Sequence, residues 1–188
     1  MTTGTDRPVP ASYFVLIAPP PHPGQPPLDG IALRRERPAA GTYLDLYRAI
    51  AGPLGWHLRT TMTEAGLDAF LDAPTTVVML LRRHGRSVGL REFDGVGGDE
   101  VELVHAGLLA ELRGRGLARW FLAMALSRIW RRAPGHVWLP ADPHDDPAAA
   151  PLYRSFGFRL EGVREDPFDR IGQLPPPWRQ ELRSARTD

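Results

Sequence analysis

The sequence has no cysteine and no lysine among its 188 residues. Without cysteine, the protein can form neither disulfides nor thiolate metal sites, and it cannot use a cysteine nucleophile. Because lysine is missing, all 23 basic residues are arginine, and 22 acidic residues nearly cancel them, which leaves a formal charge of +1. Nucleic-acid-binding proteins usually carry a clearly basic surface, so a nucleic-acid partner is not expected.

Long apolar runs are missing as well. The longest, such as VVMLL and WFLAMAL, are far shorter than the ~18 residues of a membrane-spanning helix. The first residues also lack the basic, apolar and cleavage regions of a secretory signal. We therefore expect a cytoplasmic protein with no membrane partner, and the 43% hydrophobic composition suits one compact domain.

The apolar residues recur with the period of strands in some stretches and of helices in others. Strands are predicted at 12–18, 31–37, 75–83, 86–93, 99–109, 136–141 and 157–165, and helices at 41–52, after Thr61, at 115–132 and at 148–156. The three strands between 75 and 109 are expected to form an antiparallel meander, and the proline-rich stretch 19–27 an extended connector. Thr61 and Glu64 have the spacing of a capping box, and Asp146 before a proline has the pattern of a helix N-cap.

A glycine-rich loop, Arg113 to Gly116, precedes the long predicted helix. The first N–H groups of a helix have no internal partner and carry partial positive charge, so a loop without bulky side chains there can bind phosphate. Two nucleotide-binding motifs are excluded. The chain has no G-x-x-x-x-G-K-[ST], and G-x-G-x-x-G fails because Arg119 replaces the third glycine. The loop is therefore predicted to be a pyrophosphate-binding loop of a type other than these two.

Two stretches resemble signatures of the GNAT superfamily of acyl-CoA-dependent N-acyltransferases. Arg113, Gly116 and Ala118 match the motif [RQ]-x-x-G-x-[GA], and AAAPLYRSFGFRLEG at 148–162 is similar to the later signature, a short helix with Leu-Tyr before a Gly-Phe strand start. The stretch YLDLYRAIAGPLGWHLR is similar to the first-helix region of one bacterial branch. The resemblance covers residues 30–165 and implies an α/β (α+β) GNAT fold, a twisted mixed sheet flanked by helices in a single domain.

The expected organisation follows from this resemblance. It comprises an N-terminal strand and proline-rich connector at 1–29, a GNAT domain at 30–166, and a proline-broken tail at 167–188 with a helical turn near Trp178. The implied acyl donor is acetyl-CoA, with no metal. The residues expected to bind it, through backbone near the strand end and loop amides, are Leu108, Arg113, Gly114, Arg115, Gly116, Leu117 and Ala118.

The resemblance also implies roles on the last helix. Asp146 takes the position of an asparagine that many members have before this helix, and Tyr153 that of a tyrosine that protonates the departing thiolate. Acyl transfer requires a neutral amine, whereas an alkyl ammonium with a pKa of ~10.4 is almost fully protonated at neutral pH. Glu102, at a spacing similar to that of the catalytic glutamate in one branch, is the favoured base, while Glu92, His105 or no dedicated base stay open.

The acceptor is expected to be a small-molecule or peptide amine. The resemblance places Tyr43, Tyr47, Trp56 and His57 at the acceptor pocket, although residues of this kind are more often part of a core. Glu92, on the strand before Glu102, is expected to reach the same cleft and is included among the acceptor-binding residues. The stretch PLGWHLRTTMTEAG has one acid, so we expect a pocket of low acidity. A homodimer is compatible with the sequence, and so is a non-catalytic module that senses acyl-CoA or binds a protein.

His144 lies among aspartates at 142, 145 and 146. Such a cluster could suggest a metal site, but the loop is short and helix capping explains the aspartates. No metal is therefore predicted.

Overall fold

One mixed β-sheet organises the computed structural model, which describes residues 8–167 and 175–178. Its strands are β1 (Pro8–Leu16), β2 (Ile31–Arg35), β3 (Val77–Arg83), β4 (Arg86–Asp94), β5 (Glu100–Leu108), β6 (His136–Ala141) and β7 (Arg159–Pro167), in the order β2-β3-β4-β5-β6-β1-β7. The α-helices are α1 (Ala40–Ala51), α2 (Glu64–Asp72), α3 (Leu117–Trp130) and α4 (Ala149–Ser155). The predicted mixed sheet flanked by helices is confirmed, including the β3–β4–β5 meander.

The first strand lies inside the sheet. β1 pairs antiparallel with both β6 and β7, so that Val15 has Trp138 on one side and Arg159 on the other. Phe14 of β1 belongs to the main core, whereas Tyr13 stacks on Trp138 on the opposite face, with ring centroids 6.2 Å apart. β1 is thus an integral part of the domain that we expected to begin at residue 30. Within the predicted tail, residues 168–174 and 179–188 lie outside the described residues.

The neighbouring strands β5 and β6 are parallel and separate after a short contact. Their pairing covers only residues 100–102 of β5 and 136–138 of β6. On its other edge, β5 pairs His105 with Glu92 and Leu103 with Phe93, which leaves Val104 as a β-bulge. The separation opens a gap in the sheet, and the bulge reorients the β5 side chains beside it.

The helices pack on the sheet beside this gap. A Cβ added at Gly107 would lie 2.1 Å from Ile50 Cγ2, so glycine is required for α1 to pack closely on β5. α3 is buried on nearly all sides, as predicted, because the connector crosses it and Gly24 O accepts a hydrogen bond from Trp120 Nε1 at 3.1 Å. No helix of residues 8–167 and 175–178 has the length and apolarity to cross a membrane.

Two predicted helix starts were wrong in detail. Thr63, and not Thr61, caps α2, because its hydroxyl accepts the Gly66 amide at 3.1 Å. The Thr61 hydroxyl instead donates to the Leu58 carbonyl. α4 begins after residue 148, and Asp146 accepts the Ala148 amide at 3.0 Å in a turn that precedes the helix.

Candidate active site

The glycine-rich loop borders a cleft between α3 and α4, which we call the α3–α4 cleft. The cleft is lined by the end of β5, by the loop and by the first turns of the two helices. Gly114 and Gly116 both have a left-handed φ of +73°. A Cβ at Gly114 would have no atom within 4 Å, so the space beside this backbone is open. The loop therefore offers exposed backbone at the positive end of a helix dipole.

Arg113 connects the loop to the end of β5 and to the turn before α4. Its Nε donates to the Leu108 carbonyl at 3.3 Å, and its Nη1 lies 3.8 Å from Asp146 Oδ2. The structure thus brings five of the predicted donor-binding residues to one cavity. They are Leu108, Arg113, Gly114, Ala118 and Asp146.

The remaining predicted donor-binding residues lie beside this cleft. Gly116 is the N-cap of α3, and Arg115 is exposed. Leu117 is fully buried in the core. Its side chain is therefore unavailable to a ligand, and only its backbone amide can contribute.

A second cleft, the β5–β6 cleft, occupies the gap where the two strands separate. It is lined by Tyr47 and Trp56 from the α1 side, by His105 from β5 and by Asp145 from the loop after β6. Tyr153 of α4 lines both clefts. The two cavities therefore meet at this tyrosine.

The Tyr153 hydroxyl makes no hydrogen bond within residues 8–167 and 175–178. Burial, opposed by Arg91 and assisted by Asp145 and Asp146, raises the pKa of Tyr153 to about 12. The side chain is consequently a neutral phenol with an available O–H at the junction of the clefts.

Glu92 is the centre of a buried polar network. It is 0% exposed and pairs with Arg59, whose Nη2 lies 2.5 Å from Oε1. His105 Nδ1 lies 3.1 Å from the same oxygen, and the Tyr43 hydroxyl donates to Oε2. Burial acts to raise the pKa of Glu92, but His105 and Arg59 together lower it to about 2. Glu92 is thus a fully engaged carboxylate and a very weak base.

The network orients His105 towards the β5–β6 cleft. Nδ1 of His105 faces the Glu92 carboxylate. Nε2 therefore points to Tyr47, and the distance from Nε2 to the Tyr47 hydroxyl is 3.2 Å. A carboxylate that accepts one ring N–H fixes the tautomer and leaves the other nitrogen as an acceptor. This geometry suits a proton acceptor in the cleft.

Like Glu92, which was predicted at the acceptor pocket, two further predicted residues line neither cleft. Glu102 occupies the last β5 position that pairs with β6, opposite Trp138, and lines neither cavity. Tyr43 is 1% exposed and packs in the core against Tyr47, with its hydroxyl on Glu92. The geometry therefore favours His105 over Glu102 as the base and gives Tyr43 a structural position.

The β5–β6 cleft is more acidic than expected, because carboxylates from outside the stretch 53–66 reach it. Asp142 and Asp145 both line it, and Asp145 Oδ1 accepts a hydrogen bond from Trp56 Nε1 at 3.2 Å. Burial and the neighbouring Asp142 raise the pKa of Asp145 to about 6. In the part of the chain that the structure describes, no three His, Asp or Glu side chains are grouped to hold a metal ion.

Comparison with known proteins gives matches among solved structures only. No protein-family model matches the chain, and no curated protein is significantly similar to it. A GCN5-related N-acetyltransferase from Sphaerobacter thermophilus superposes with a TM-score of 0.62 at 23% identity, over 84% of this chain and 50% of that one.

Two further structures show the same likeness. A putative GNAT-family acetyltransferase from Novosphingobium aromaticivorans has a TM-score of 0.58 at 19% identity, over 84% of this chain and 62% of its own. A GCN5-related N-acetyltransferase from Kribbella flavida has a TM-score of 0.54 at 18% identity, over 90% of this chain and 61% of its own. The chain thus spans between half and two thirds of the length of these three proteins, and it shares their fold.

Proposed function

From the GNAT fold of this chain, we propose that it is an acyl-CoA-dependent N-acyltransferase, which transfers an acetyl group from acetyl-CoA to a primary amine. One observation carries the proposal: two clefts of different chemistry meet at Tyr153. One has exposed loop backbone at a helix start, which suits a pyrophosphate, and the other has an oriented histidine, which suits amine activation.

The α3–α4 cleft would receive the donor. The pyrophosphate would bind the backbone amides of residues 113–118, which the helix dipole favours. The pantetheine arm would run along the end of β5, near Leu108. Since β5 has no β6 partner beyond residue 102, its backbone amides on that edge are available to polarise the thioester carbonyl, in the manner of an oxyanion hole.

The β5–β6 cleft would receive the acceptor. The half-buried Asp145 carboxylate and the rings of Trp56 and Tyr47 suit a cationic amine, because a carboxylate attracts the charge and aromatic faces stabilise it. His105 Nε2 would take one proton from the ammonium, and the neutral nitrogen then attacks the carbonyl carbon. The extra proton that this nitrogen carries after the attack would pass to solvent. The C–N bond forms as the C–S bond breaks, and the electron pair leaves with the sulfur, to which the Tyr153 hydroxyl donates a hydrogen bond.

Isothermal titration with acetyl-CoA, CoA and ATP tests this proposal. We expect both CoA species to bind and ATP to fail, because the loop lacks the P-loop motif. A panel of primary amines is then screened by thiol release. Failure to bind either CoA species would overturn the proposal, while CoA binding without thiol release from any amine would favour a sensing module.

A further inference from the structure

The β5–β6 cleft has carboxylates on its walls but no arginine. Among the described residues that line it, the acidic and basic side chains are Asp142, Asp145, His57 and His105, and the sequence contains no lysine. An acceptor with a carboxylate of its own would meet two like charges there and no guanidinium. The cleft therefore suits a cationic acceptor and disfavours an amino acid.

Asp145 is a carboxylate without an ion-pair partner among the described residues. Its Oδ1 accepts the Trp56 indole N–H and its Oδ2 the Asp142 amide N–H, both at 3.2 Å, and both donors are neutral. Asp142, by contrast, has Nδ1 of His144 at 3.0 Å. Burial and Asp142 raise the pKa of Asp145 to about 6, so its carboxyl group is mainly ionised at neutral pH. A bound cation would supply the counter-charge.

Two nearly buried polar side chains line the same cleft. His105 and Tyr153 are 7% and 8% exposed, and the Tyr153 hydroxyl has no hydrogen-bond partner within residues 8–167 and 175–178. Leu58, Leu139 and Pro140 add apolar walls. The volume of the cleft is about 70 Å³, whereas a cavity that admits a benzene ring has about 150 Å³. These walls and this volume suit a slender methylene chain better than a ring.

The indole of Trp56 lies between His105 and Asp145. Its N–H bonds to Asp145, and its ring centroid is 5.3 Å from that of His105. The proton acceptor and the carboxylate therefore occupy two separate positions in one cleft. The aromatic ring between them can itself stabilise a cation.

The reacting nitrogen and a nitrogen bound by Asp145 have opposite requirements. The nitrogen that attacks the thioester must be neutral, whereas a carboxylate beside an ammonium favours the charged form and raises its pKa. Asp145 would thus oppose the reaction if it held the attacking nitrogen. A second ammonium, which keeps its proton throughout, would gain from the carboxylate without this penalty.

We propose that the acceptor is an unbranched alkyl diamine, bound with one ammonium at Asp145 and with its other nitrogen at His105. This inference rests on the proposed acyltransfer function and assigns its substrate class. His105 takes one proton from the reacting end, the C–N bond forms as the C–S bond breaks, and the electron pair leaves with the sulfur. The extra proton on the new amide nitrogen passes to solvent, and the product is a monoacetylated cation.

Acceptors of equal chain length test the proposal. Thiol release with saturating acetyl-CoA is measured for putrescine and butylamine, for cadaverine and pentylamine, and for γ-aminobutyrate, which has a carboxylate in place of the second ammonium. We expect kcat/KM to be about tenfold or more higher for each diamine than for its monoamine, as for a hydrogen bond to a charged group. Equal values, or a preference for γ-aminobutyrate, would overturn the diamine assignment and leave the acyltransferase function intact.

Asp145→Asn separates charge from shape. Asparagine keeps an oxygen for the Trp56 N–H but loses the charge, so KM for putrescine should rise about tenfold or more with a smaller change in kcat, as for lost ground-state binding. The preference for putrescine over butylamine should disappear. Asp45→Asn is the matched control, because it removes an exposed carboxylate that lines neither cleft. An unchanged preference in Asp145→Asn would indicate a structural role and overturn the proposal.

Binding and turnover distinguish this inference from the function on which it rests. Putrescine titrated calorimetrically into the protein–CoA complex should bind the wild type about tenfold or more tighter than Asp145→Asn. Thiol release with peptide amines and none with diamines would overturn the substrate class alone. Wild-type protein that binds neither acetyl-CoA nor CoA would overturn the acyltransferase function, and this inference with it.

Discussion

At the scale of single residues, the candidate site depends on a histidine whose role is set by buried neighbours. Glu92 holds one ring nitrogen of His105, and the other lies 3.2 Å from the Tyr47 hydroxyl, which lines the β5–β6 cleft together with His105. A base of this kind contributes about 10²- to 10⁴-fold to a reaction rate. The same reasoning makes Glu102 a poor candidate, because it lines neither cleft.

Replacement of His105 tests this assignment. We expect His105→Gln to lower kcat for amine acetylation by about 10²-fold or more, with little change in acetyl-CoA affinity, because the glutamine cannot accept the amine proton. His57→Gln is the matched control, since His57 lines the same cleft outside the Glu92 network. A larger loss in Glu102→Gln than in His105→Gln would restore the sequence-based assignment.

Gly114 offers a test of the proposed phosphate cradle. We expect Gly114→Asp to weaken acetyl-CoA binding by at least tenfold, because it places an anion at the phosphate site. Gly85→Asp is the control: both glycines have a left-handed φ, +73° and +85°, and open space around the added Cβ. Titration calorimetry on both variants separates charge from backbone strain. Equal losses in the two would argue against a cradle at this loop.

The glycine-rich loop was identified from the sequence itself and Tyr153 from the family resemblance, whereas Glu92 and His105 were named only as open candidates and their buried partner Arg59 was not named. A glycine-rich helix start is a local feature, so Arg113, Gly114 and Ala118 could be identified without a structure. Arg59 and Glu92 are 33 residues apart in sequence, and nothing local distinguishes them from solvated charges.

At the scale of secondary-structure elements, the sequence predicted which segments form strands and helices better than it predicted their ends. The sequence predicted a strand at each of the seven strands of the described residues, and most of them bury apolar side chains. The exception is β7, whose one fully buried residue is Asp166. The N-cap of α2 was predicted two residues too early, because Thr61 and Thr63 both precede the apolar face of the helix. Only the hydrogen bond of Thr63 to the Gly66 amide decides between them.

The helix cap gives a stability prediction. We expect Thr63→Ala to lower the free energy of unfolding by about 1 kcal/mol, because the Gly66 amide at the start of α2 loses its acceptor. Thr61→Ala is the matched control, with an exposed hydroxyl that bonds to a carbonyl before the helix. Urea unfolding measures both. A larger loss for Thr61→Ala would return the cap to the residue predicted from the capping-box spacing.

At the scale of the whole molecule, the Glu92 network connects α1, the loop before α2 and two central strands. Removal of one partner of a buried ion pair costs about 3–5 kcal/mol, because the other charge stays buried. We expect a loss of this size in the free energy of unfolding for Glu92→Gln. Glu36→Gln is the control: it breaks a partly exposed pair with Arg82, for which a loss of at most about 1 kcal/mol is typical.

The network also predicts how stability depends on pH. The pKa of Glu92 is lowered from its ordinary value of 4.5 to about 2 in the folded protein. The stability it contributes is therefore complete above pH ~4.5 and lost as the pH falls towards ~2. The free energy of unfolding of the wild type should fall as the pH is lowered through this range, and that of Glu92→Gln should fall less. Identical pH profiles of the two proteins would exclude Glu92 as the source of the pH dependence.

The position of β1 was beyond the reach of sequence patterns. An apolar strand near residue 12 could be predicted, but its place between β6 and β7 depends on which edges remain unpaired once the other strands have assembled. The hydroxyl of Tyr13 donates to Asp166, 153 residues further along the chain. Such distant partners carry no local signal.

This position has a consequence for synthesis on the ribosome. β1 is made before the other six strands of this sheet but is one of the last to be built into it, because both of its neighbours are translated more than a hundred residues later. Its apolar side chains, such as Phe14 and Leu16, stay uncovered during that interval, and long-range pairing is slow. The nascent chain is therefore expected to need a chaperone on this segment until β7 has been made.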